Sequence, residues 1–461
     1  MTSILKNKSD VTTWTAIVVV SLSLIMGAII PMYVDILDGQ ISKLLALPAL
    51  LVFGFLFWYD KKLTIILIIL FRSSGDIFLE STRFSLGGYQ VGVGGLINAF
   101  VIIIGLTLIL DKPKVYPKDA ASAWLIFLTA IAVGTLLSPV KLDAAKIFLS
   151  FTSNFFIFVA AFYLISKPDD LERYIKLIII SSIFPVLFSA FDMVQNHSTT
   201  AIDGFRLKST FNHPNIFAFY LTIIISLSFY MAKISEMASL KKQLYFYWIY
   251  TFILLGLLIL TKTRSAWIGC VLLFLAYAIF FEKKYFLYII FALLGSLFIP
   301  SIQDRFTDLL QGNEVVNYSQ LNSFAWRTQL WESALAWLEP KNYILGNGIQ
   351  SFKEYSPIFF PLSGGTNFGA HNVYIQLIFE IGLFGLAAYI GLHYKAVMRI
   401  YNISINNRML FFILIVVIVN NLVFSLSDNM LSYLSFNWYL WFLIGAGCAF
   451  SNTCKVARNE V

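Results

Sequence analysis

Apolar runs long enough to cross a bilayer recur along the chain and are separated by short polar links. A helix rises about 1.5 Å per residue, so roughly 20 apolar residues span a hydrocarbon core of about 30 Å. On that measure the runs predict helices near 14–34, 41–58, 62–79, 89–110, 120–138, 147–166, 177–195 and 216–234. Six more fall near 244–261, 266–281, 285–300, 373–392, 409–426 and 436–451. The expected fold is all-α: a polytopic transmembrane helix bundle of about fourteen spans. No stretch is left for a large soluble domain. The chain divides into N-terminal transmembrane helices (1–195), core transmembrane helices with arginine-bearing loops (196–300), a large loop (301–372) and C-terminal transmembrane helices (373–461).

Composition agrees with a membrane protein. Hydrophobic residues make up 59% and charged residues only 13%, against about 25% charged in ordinary soluble domains. The first run follows a short basic arm (Lys6, Lys8) but lacks an Ala-x-Ala exit, so it reads as an uncleaved span. Basic residues gather in links such as "YDKK", "DKPKVYPKD", "FEKK" and "HYKAVMRIYNISINNR". With the N-terminus in the cytoplasm, alternate links place roughly 20 of the 33 basic residues inside and roughly 13 outside. Both termini are then cytoplasmic. The net charge of +8 is accordingly a topology signal and predicts no nucleic-acid partner. Cys270, Cys448 and Cys454 have no ligand-like spacing and predict neither a disulfide framework nor a metal site.

This topology sends "DILDGQ", the loop 72–88, "SPVKLDAAK", the segment from Gln195 to Asn215, "TKTRSA" and the long segment 301–372 to the outer face. Loops beyond about 12–15 residues are usually functional or disordered. The long one contains "FAWRTQLWESALAWL", where Phe324, Trp331, Leu335 and Leu338 fall at helical spacing and predict an amphipathic helix on the bilayer surface. A short helix near "GIQSFKEYSPIFF" follows. "GGYQVGVGGL" at 87 reads as the tight start of a helix, and the two aspartates of "DILDGQ" are a weak metal signal.

Three outward arginines stand out: Arg206 in "DGFRLKSTFNHPN", Arg264 in "TKTRSAW" and Arg327 in "FAWRTQLW". Each alone has a plain explanation, snorkelling to the headgroups. Together they run against the topology bias, and guanidinium groups match phosphate oxygens in a bidentate fork. His371 sits where the Gly-rich "GGTNFGAHN" meets an apolar run. It is either a cap histidine satisfied by backbone carbonyls or a group that takes a proton near neutral pH. Asn372 and Tyr374 orient a sugar or the imidazole, or are ordinary interfacial residues. His213, Pro214 and Asn215 have the pattern of a helix start. His197, in a loop, and His393, on the cytoplasmic side, receive no role. Walker, His-Glu-x-x-His and Gly-x-Ser-x-Gly patterns do not occur in the sequence.

"FRLKSTFNHPNIFAFYL", "LTKTRSAWIG", "WRTQLWESALAWL" leading into "ILGNGIQSF", and "AHNVYIQLIFEIGLFGL" occur in an order that resembles the O-antigen ligase and polymerase superfamily, over roughly 200–390. The resemblance implies a multi-pass glycosyltransferase of the bacterial inner membrane that takes glycan from undecaprenyl diphosphate on the periplasmic face. It implies metal-independent, inverting transfer with no cofactor. By motif, Arg206 and Arg264 bind the diphosphate, Arg327 helps hold donor or acceptor, and His371 is base on the acceptor hydroxyl, with Asn215, Asn372 and Tyr374 in support. The implied partners are the lipid-linked donor, an acceptor glycan (a lipid-linked repeat or lipid A-core), membrane lipids and a chain-length regulator protein. Polymerase is the first reading, from the span count. A ligase acting on lipid A-core is the second, and a ligase with a protein acceptor shares fold and donor. A flippase or transporter is the rival of another class; it calls for ionisable groups at mid-membrane and repeated halves.

Overall fold

The computed structural model describes residues 46–81, 84–86, 89–91, 93–113, 115–196, 205–298, 302–303 and 323–459. The predicted span 14–34, "DILDGQ" and His197 lie outside the described residues. The chain is helical almost throughout. Helices α1 (Ala46–Tyr59) and α2 (Lys61–Ser81) lead to a hairpin of β1 (Phe84–Leu86) and β2 (Tyr89–Val91), then α3 (Val93–Asp111), α4 (Lys118–Leu137) and α5 (Lys141–Leu164). Next come α6 (Pro168–Ser181), α7 (Ile183–Asn196), α8 (Pro214–Met237), α9 (Lys241–Leu260), α10 (Arg264–Phe280) and α11 (Lys284–Ser296). Two short helices, α12 (Ser323–Trp337) and α13 (Ser351–Phe359), precede α14 (Val373–Ile400), α15 (Ile403–Asn406), α16 (Arg408–Phe424) and α17 (Leu434–Asn459).

Among the described residues six helical stretches are long and apolar enough to cross a membrane: 94–111, 141–164, 169–195, 214–237, 241–260 and 373–406. Four shorter apolar helices accompany them, at 121–137, 264–280, 284–296 and 408–424. The all-helical membrane bundle is therefore present, and six of the fourteen expected spans reach full length among the described residues. Helix α2 explains part of the difference, because Lys61, Lys62, Arg72, Asp76 and Glu80 interrupt its apolar run. Helix α11 has only 13 residues. The "GGYQVGVGGL" stretch also departs from expectation. Its Tyr89–Val91 portion is a strand paired with Phe84–Leu86, and the helix begins only at Val93.

Helix α17 packs along α5, α8 along α9, and α14 along α4. Lipid tails are as apolar as leucine, so association rests on close packing and on polar contacts within the bundle, each worth about 0.6 kcal/mol. Trp124 of α4 meets Trp441 of α17 edge-on at 4.5 Å, and Trp438 donates to Ser153 Oγ of α5 at 3.1 Å. Tyr439 donates to the Ile69 carbonyl at 2.7 Å, binding α17 to α2. His393, expected on the cytoplasmic side, lies inside α14 with 3% exposure. Its Nδ1 is 3.0 Å from the Tyr389 carbonyl and its Nε2 3.3 Å from Asn421.

Helix α14 is broken at Gly382, which has φ 68 and ψ −173. The break frees carbonyls, and the "ILGNG" loop occupies it: Asn347 and Gly348 N–H donate to Phe379 and Glu380 at 2.9 and 2.8 Å. In return Leu383 N–H donates to Tyr343 at 2.8 Å. The loop before α13 is thereby stitched into the bundle, and a second core forms over it from Leu330, Ala334, Leu338, Phe352, Phe359 and Phe379. Helix α12 thus buries Leu330 and Ala334, while Phe324 and Leu335 of the expected apolar stripe are 61% and 40% exposed. The face chosen is the one that meets α13 and α14.

Candidate functional site

The start of α14 is fastened to the end of α16. Asn372 caps α14, accepting from Tyr374 and Ile375 N–H at 2.9 and 3.1 Å, and its amide donates to the Leu426 carbonyl at 3.1 Å. Val373 N–H reaches Ser425 at 2.8 Å, and the Tyr374 hydroxyl donates to Leu422 at 2.8 Å. Both residues therefore brace the seam. Just ahead of it His371 has φ 48, a left-handed conformation that is uncommon without glycine and clusters at functional sites. Asn429 holds it there: Oδ1 accepts the His371 N–H at 2.7 Å, and Nδ2 lies 3.3 Å from imidazole Nδ1. Trp331 of α12 closes the other side, donating to the Ala370 carbonyl at 2.6 Å.

Arg206 enters from the segment before α8. That segment is tied to α9 by Leu207 N–H to Leu260 at 3.0 Å. Arg206 Nε donates to the Thr261 carbonyl at 3.0 Å, and Nη2 to Asn215 Oδ1 at 2.7 Å and Thr263 Oγ1 at 3.3 Å. His213 caps α8 by accepting Asn215 N–H on Nδ1 at 3.1 Å, as the helix-start pattern predicts. Asn215 has a second role: its Nδ2 donates to Asp428 Oδ2. Arg264 is the first residue of α10, behind the cap Thr263, near enough to Arg327 to disfavour the charge there. Arg327 donates from Nη1 to the Ser427 carbonyl at 2.7 Å.

Asp428 is the hub. It is 1% exposed, and Oδ1 accepts from Asn429 N–H at 2.8 Å and from the Tyr433 hydroxyl. Burial and the adjacent carboxylate push the Tyr433 hydroxyl well above its ordinary range, so it stays protonated as a donor. Burial lowers the His371 pKa from 6.5, the Arg327 and His213 charges push the same way, and Asp428 opposes them. Burial likewise lowers Arg327, again with Asp428 opposing. The structure thus brings Arg206, Asn215, Arg264, Arg327 and His371 to one end of the bundle, with Asn215 on Asp428, Arg206 on Asn215, Arg327 and His371 on the neighbouring Ser427 and Asn429, and burial favouring the neutral form of the imidazole. Such a cluster suits a multiply charged anion. Among the described residues no group of three or more His, Cys, Asp or Glu is placed to hold a metal.

Asp428 was missed in the sequence because "SDNMLSYLS" looks like an ordinary link between apolar runs. The available signal was that the link falls on the same face as His371 in the alternation of spans.

Residues 249–390 match the model of the family described as O-antigen ligase. The match takes in Arg264, Arg327, His371, Asn372 and Tyr374, begins after Arg206 and Asn215, and ends before Asp428. It supports cell-surface polysaccharide biosynthesis of the O-antigen ligase or polymerase type. No curated protein compared with the chain matches it.

Proposed function

Starting from an O-antigen ligase-family region at residues 249–390, we propose that this protein is a glycosyltransferase of the bacterial inner membrane. It moves glycan from undecaprenyl diphosphate to an acceptor sugar hydroxyl on the periplasmic face, as a polymerase. The observation that carries this reading is the convergence of Arg206, Arg327 and His371 on Asp428 and its neighbours Ser427 and Asn429.

An inverting displacement at the anomeric carbon needs a base on one side of the sugar ring and stabilisation of the leaving group on the other. Neutral His371 takes the proton of the acceptor hydroxyl as its oxygen bonds to the anomeric carbon. The carbon–oxygen bond to the diphosphate breaks, and its electron pair leaves on the diphosphate. Arg206 and Arg264 bind that diphosphate and Arg327 steadies donor or acceptor, so the transfer proceeds without a metal. Removing one such electrostatic contact typically costs about 10²- to 10³-fold in rate.

The test is transfer by purified protein in nanodiscs with lipid-linked glycan, in EDTA and without an energy source. Product made by the wild type and not by a normally inserted His371→Ala variant is expected. Product retained by that variant removes the base assignment. A requirement for an ion gradient, with no covalent product, favours a transporter instead. Ligase is the second reading, since donor and residues are shared. In a deletion strain, single-repeat glycan supports polymerase, and full-length glycan stranded on undecaprenyl diphosphate supports ligase.

A further inference from the structure

A second gathering of polar groups sits at the other end of α14. That helix starts beside His371 and carries Lys395 and Arg399, one turn apart, near its far end. Both line a crevice of about 290 Å³ between α4, α5, α14 and α17. Small-molecule sites usually measure roughly 300–1,000 Å³, so the crevice suits a small headgroup better than an oligosaccharide.

The walls favour negative charge. They carry two cations, and among the described residues no carboxylate lines the crevice. Like charges one helical turn apart repel, and an anion seated between them relieves the repulsion. Arg399 is held in place: Nη2 donates to Asn452 Oδ1 at 2.9 Å, and its carbonyl accepts from Ser451 Oγ at 2.8 Å. A guanidinium anchored this way differs from one that snorkels freely to the headgroups. Lys395 is exposed and adds a point charge at the rim.

The inner wall supplies an independent sign. Trp124 is 1% exposed, and its buried indole N–H finds no acceptor among the described residues. Leaving such a donor unmatched is costly. Trp124 also borders an inner cavity of about 10 Å³, room for one water; the crevice is the larger space that its side chain meets. The ring cannot turn away easily, because Trp441 packs edge-on against it at 4.5 Å and Phe158 lies 6.0 Å off.

We propose that this crevice binds a phosphate group, neutralised by Lys395 and Arg399 and accepting the Trp124 N–H on one oxygen. A carboxylate has two oxygens; a phosphate has enough to meet a guanidinium, an ammonium and an indole together. An anionic phospholipid headgroup and a soluble phosphate both present this chemistry. The site lies at the far end of α14 from the transfer cluster and does not depend on the glycosyltransferase reading.

The test titrates the full-length protein, in an uncharged detergent, with dioctanoyl phosphatidylglycerol, with dioctanoylglycerol, which lacks the phosphate, and with inorganic phosphate, by isothermal calorimetry. Saturable binding of phosphatidylglycerol and none of dioctanoylglycerol is expected. The affinity should drop about tenfold in Lys395→Gln and in Trp124→Phe, which keeps a ring against Trp441 and removes the N–H, since each loses one bond to a charged partner. Salt at about 0.5 M should weaken it further by screening. Inorganic phosphate that binds as tightly and displaces the lipid identifies a soluble ligand; phosphatidylglycerol binding alone identifies a headgroup. Equal binding of the two glycerolipids overturns the proposal, as does no binding of either phosphate compound. Unchanged phosphatidylglycerol affinity in Lys395→Gln, an exposed position that leaves the packing intact, overturns it even where Trp124→Phe fails to insert.

Discussion

Asn429 grips His371 twice, with Oδ1 on the backbone N–H at 2.7 Å and Nδ2 at 3.3 Å from imidazole Nδ1. The first contact fixes the amide orientation, and so determines the second. An N–H of Asn429 faces Nδ1, so Nδ1 must hold a lone pair, and Nε2 then carries the ring proton. In this arrangement the outer nitrogen is a donor. For Nε2 to act as base the proton must move to Nδ1, where it confronts another donor. Asn429→Asp removes the conflict, because a carboxylate accepts both the backbone N–H and an Nδ1–H and leaves Nε2 with its lone pair. If His371 is the base, Asn429→Asp keeps wild-type transfer at pH 7, and Asn429→Leu, which also frees the left-handed backbone, loses about 10²-fold. Initial rates with lipid-linked glycan check this. A collapse in Asn429→Asp equal to that in Asn429→Leu makes the ring a hydrogen-bond donor instead.

The same imidazole predicts a pH profile. Burial and Arg327 lower its pKa from 6.5, so the neutral form predominates above that value. Transfer is therefore expected to be level from about pH 8 to pH 6.5 and to fall as the pH drops through the lowered folded pKa. The effect on stability has the same sign. The unfolded chain binds the proton more readily than the folded one, so the stability contributed by neutral His371 is complete above 6.5 and lost as pH falls through the folded value. Arg327→Gln removes a nearby positive charge and should move the acid limb of the rate profile upward. A limb that stays in place separates the titration from His371.

Asp428 satisfies three donors on two oxygens, from Asn215, Asn429 and Tyr433. Asp428→Asn keeps the shape, removes the charge and turns an amide donor toward at least one of these partners. An unsatisfied buried group costs about 1–3 kcal/mol, enough to loosen Asn215 and hence Arg206. Transfer should fall by about 10²-fold or more while the protein still inserts and elutes as the wild type does. Donor affinity measured by competition should weaken alongside, which separates a disturbed site from a misfolded chain.

Much of this was legible in advance, and the reasons are local. The runs that became α5, α8 and α14 announced themselves because hydrocarbon thickness sets a length that sequence reveals directly. Arg206, Arg264, Arg327 and His371, which the structure places at one end of the bundle, were singled out as candidates through residue types that are expensive on an outward face. Asp428 was not, since an acid in a short polar link has no local signature; its importance comes from Asn215, 213 residues away in the chain. The apolar stripe expected along α12 is buried only in part, Leu338 joining the second core while Phe324 and Leu335 stay exposed, for a related reason. Apolar residues lie around that helix, and contact with α13 and α14 selects Leu330 and Ala334 over Phe324. The hairpin at 84–91 and the burial of His393 likewise depend on partners that spacing alone does not name.

Gly382 offers a test of the scaffold apart from the chemistry. Its φ of 68 is disfavoured for side-chain-bearing residues, and a Cβ there would lie 2.1 Å from the Ile344 carbonyl oxygen. The obstacle is backbone, and that backbone belongs to the loop whose hydrogen bonds close the break in α14. Gly382→Ala cannot be absorbed by a rotamer change. It must either straighten α14 or push the loop out, and both release Asn347 and Gly348 from their carbonyls. The expected destabilisation is above about 4 kcal/mol, the range reached by a few mechanisms such as strain at a special backbone conformation. Little folded protein should be recovered from membranes. Gly391→Ala, on the same helix with nothing within 4 Å of its Cβ position, should be recovered at wild-type level. Equal recovery of the two variants would mean that the break in α14 does not hold the loop.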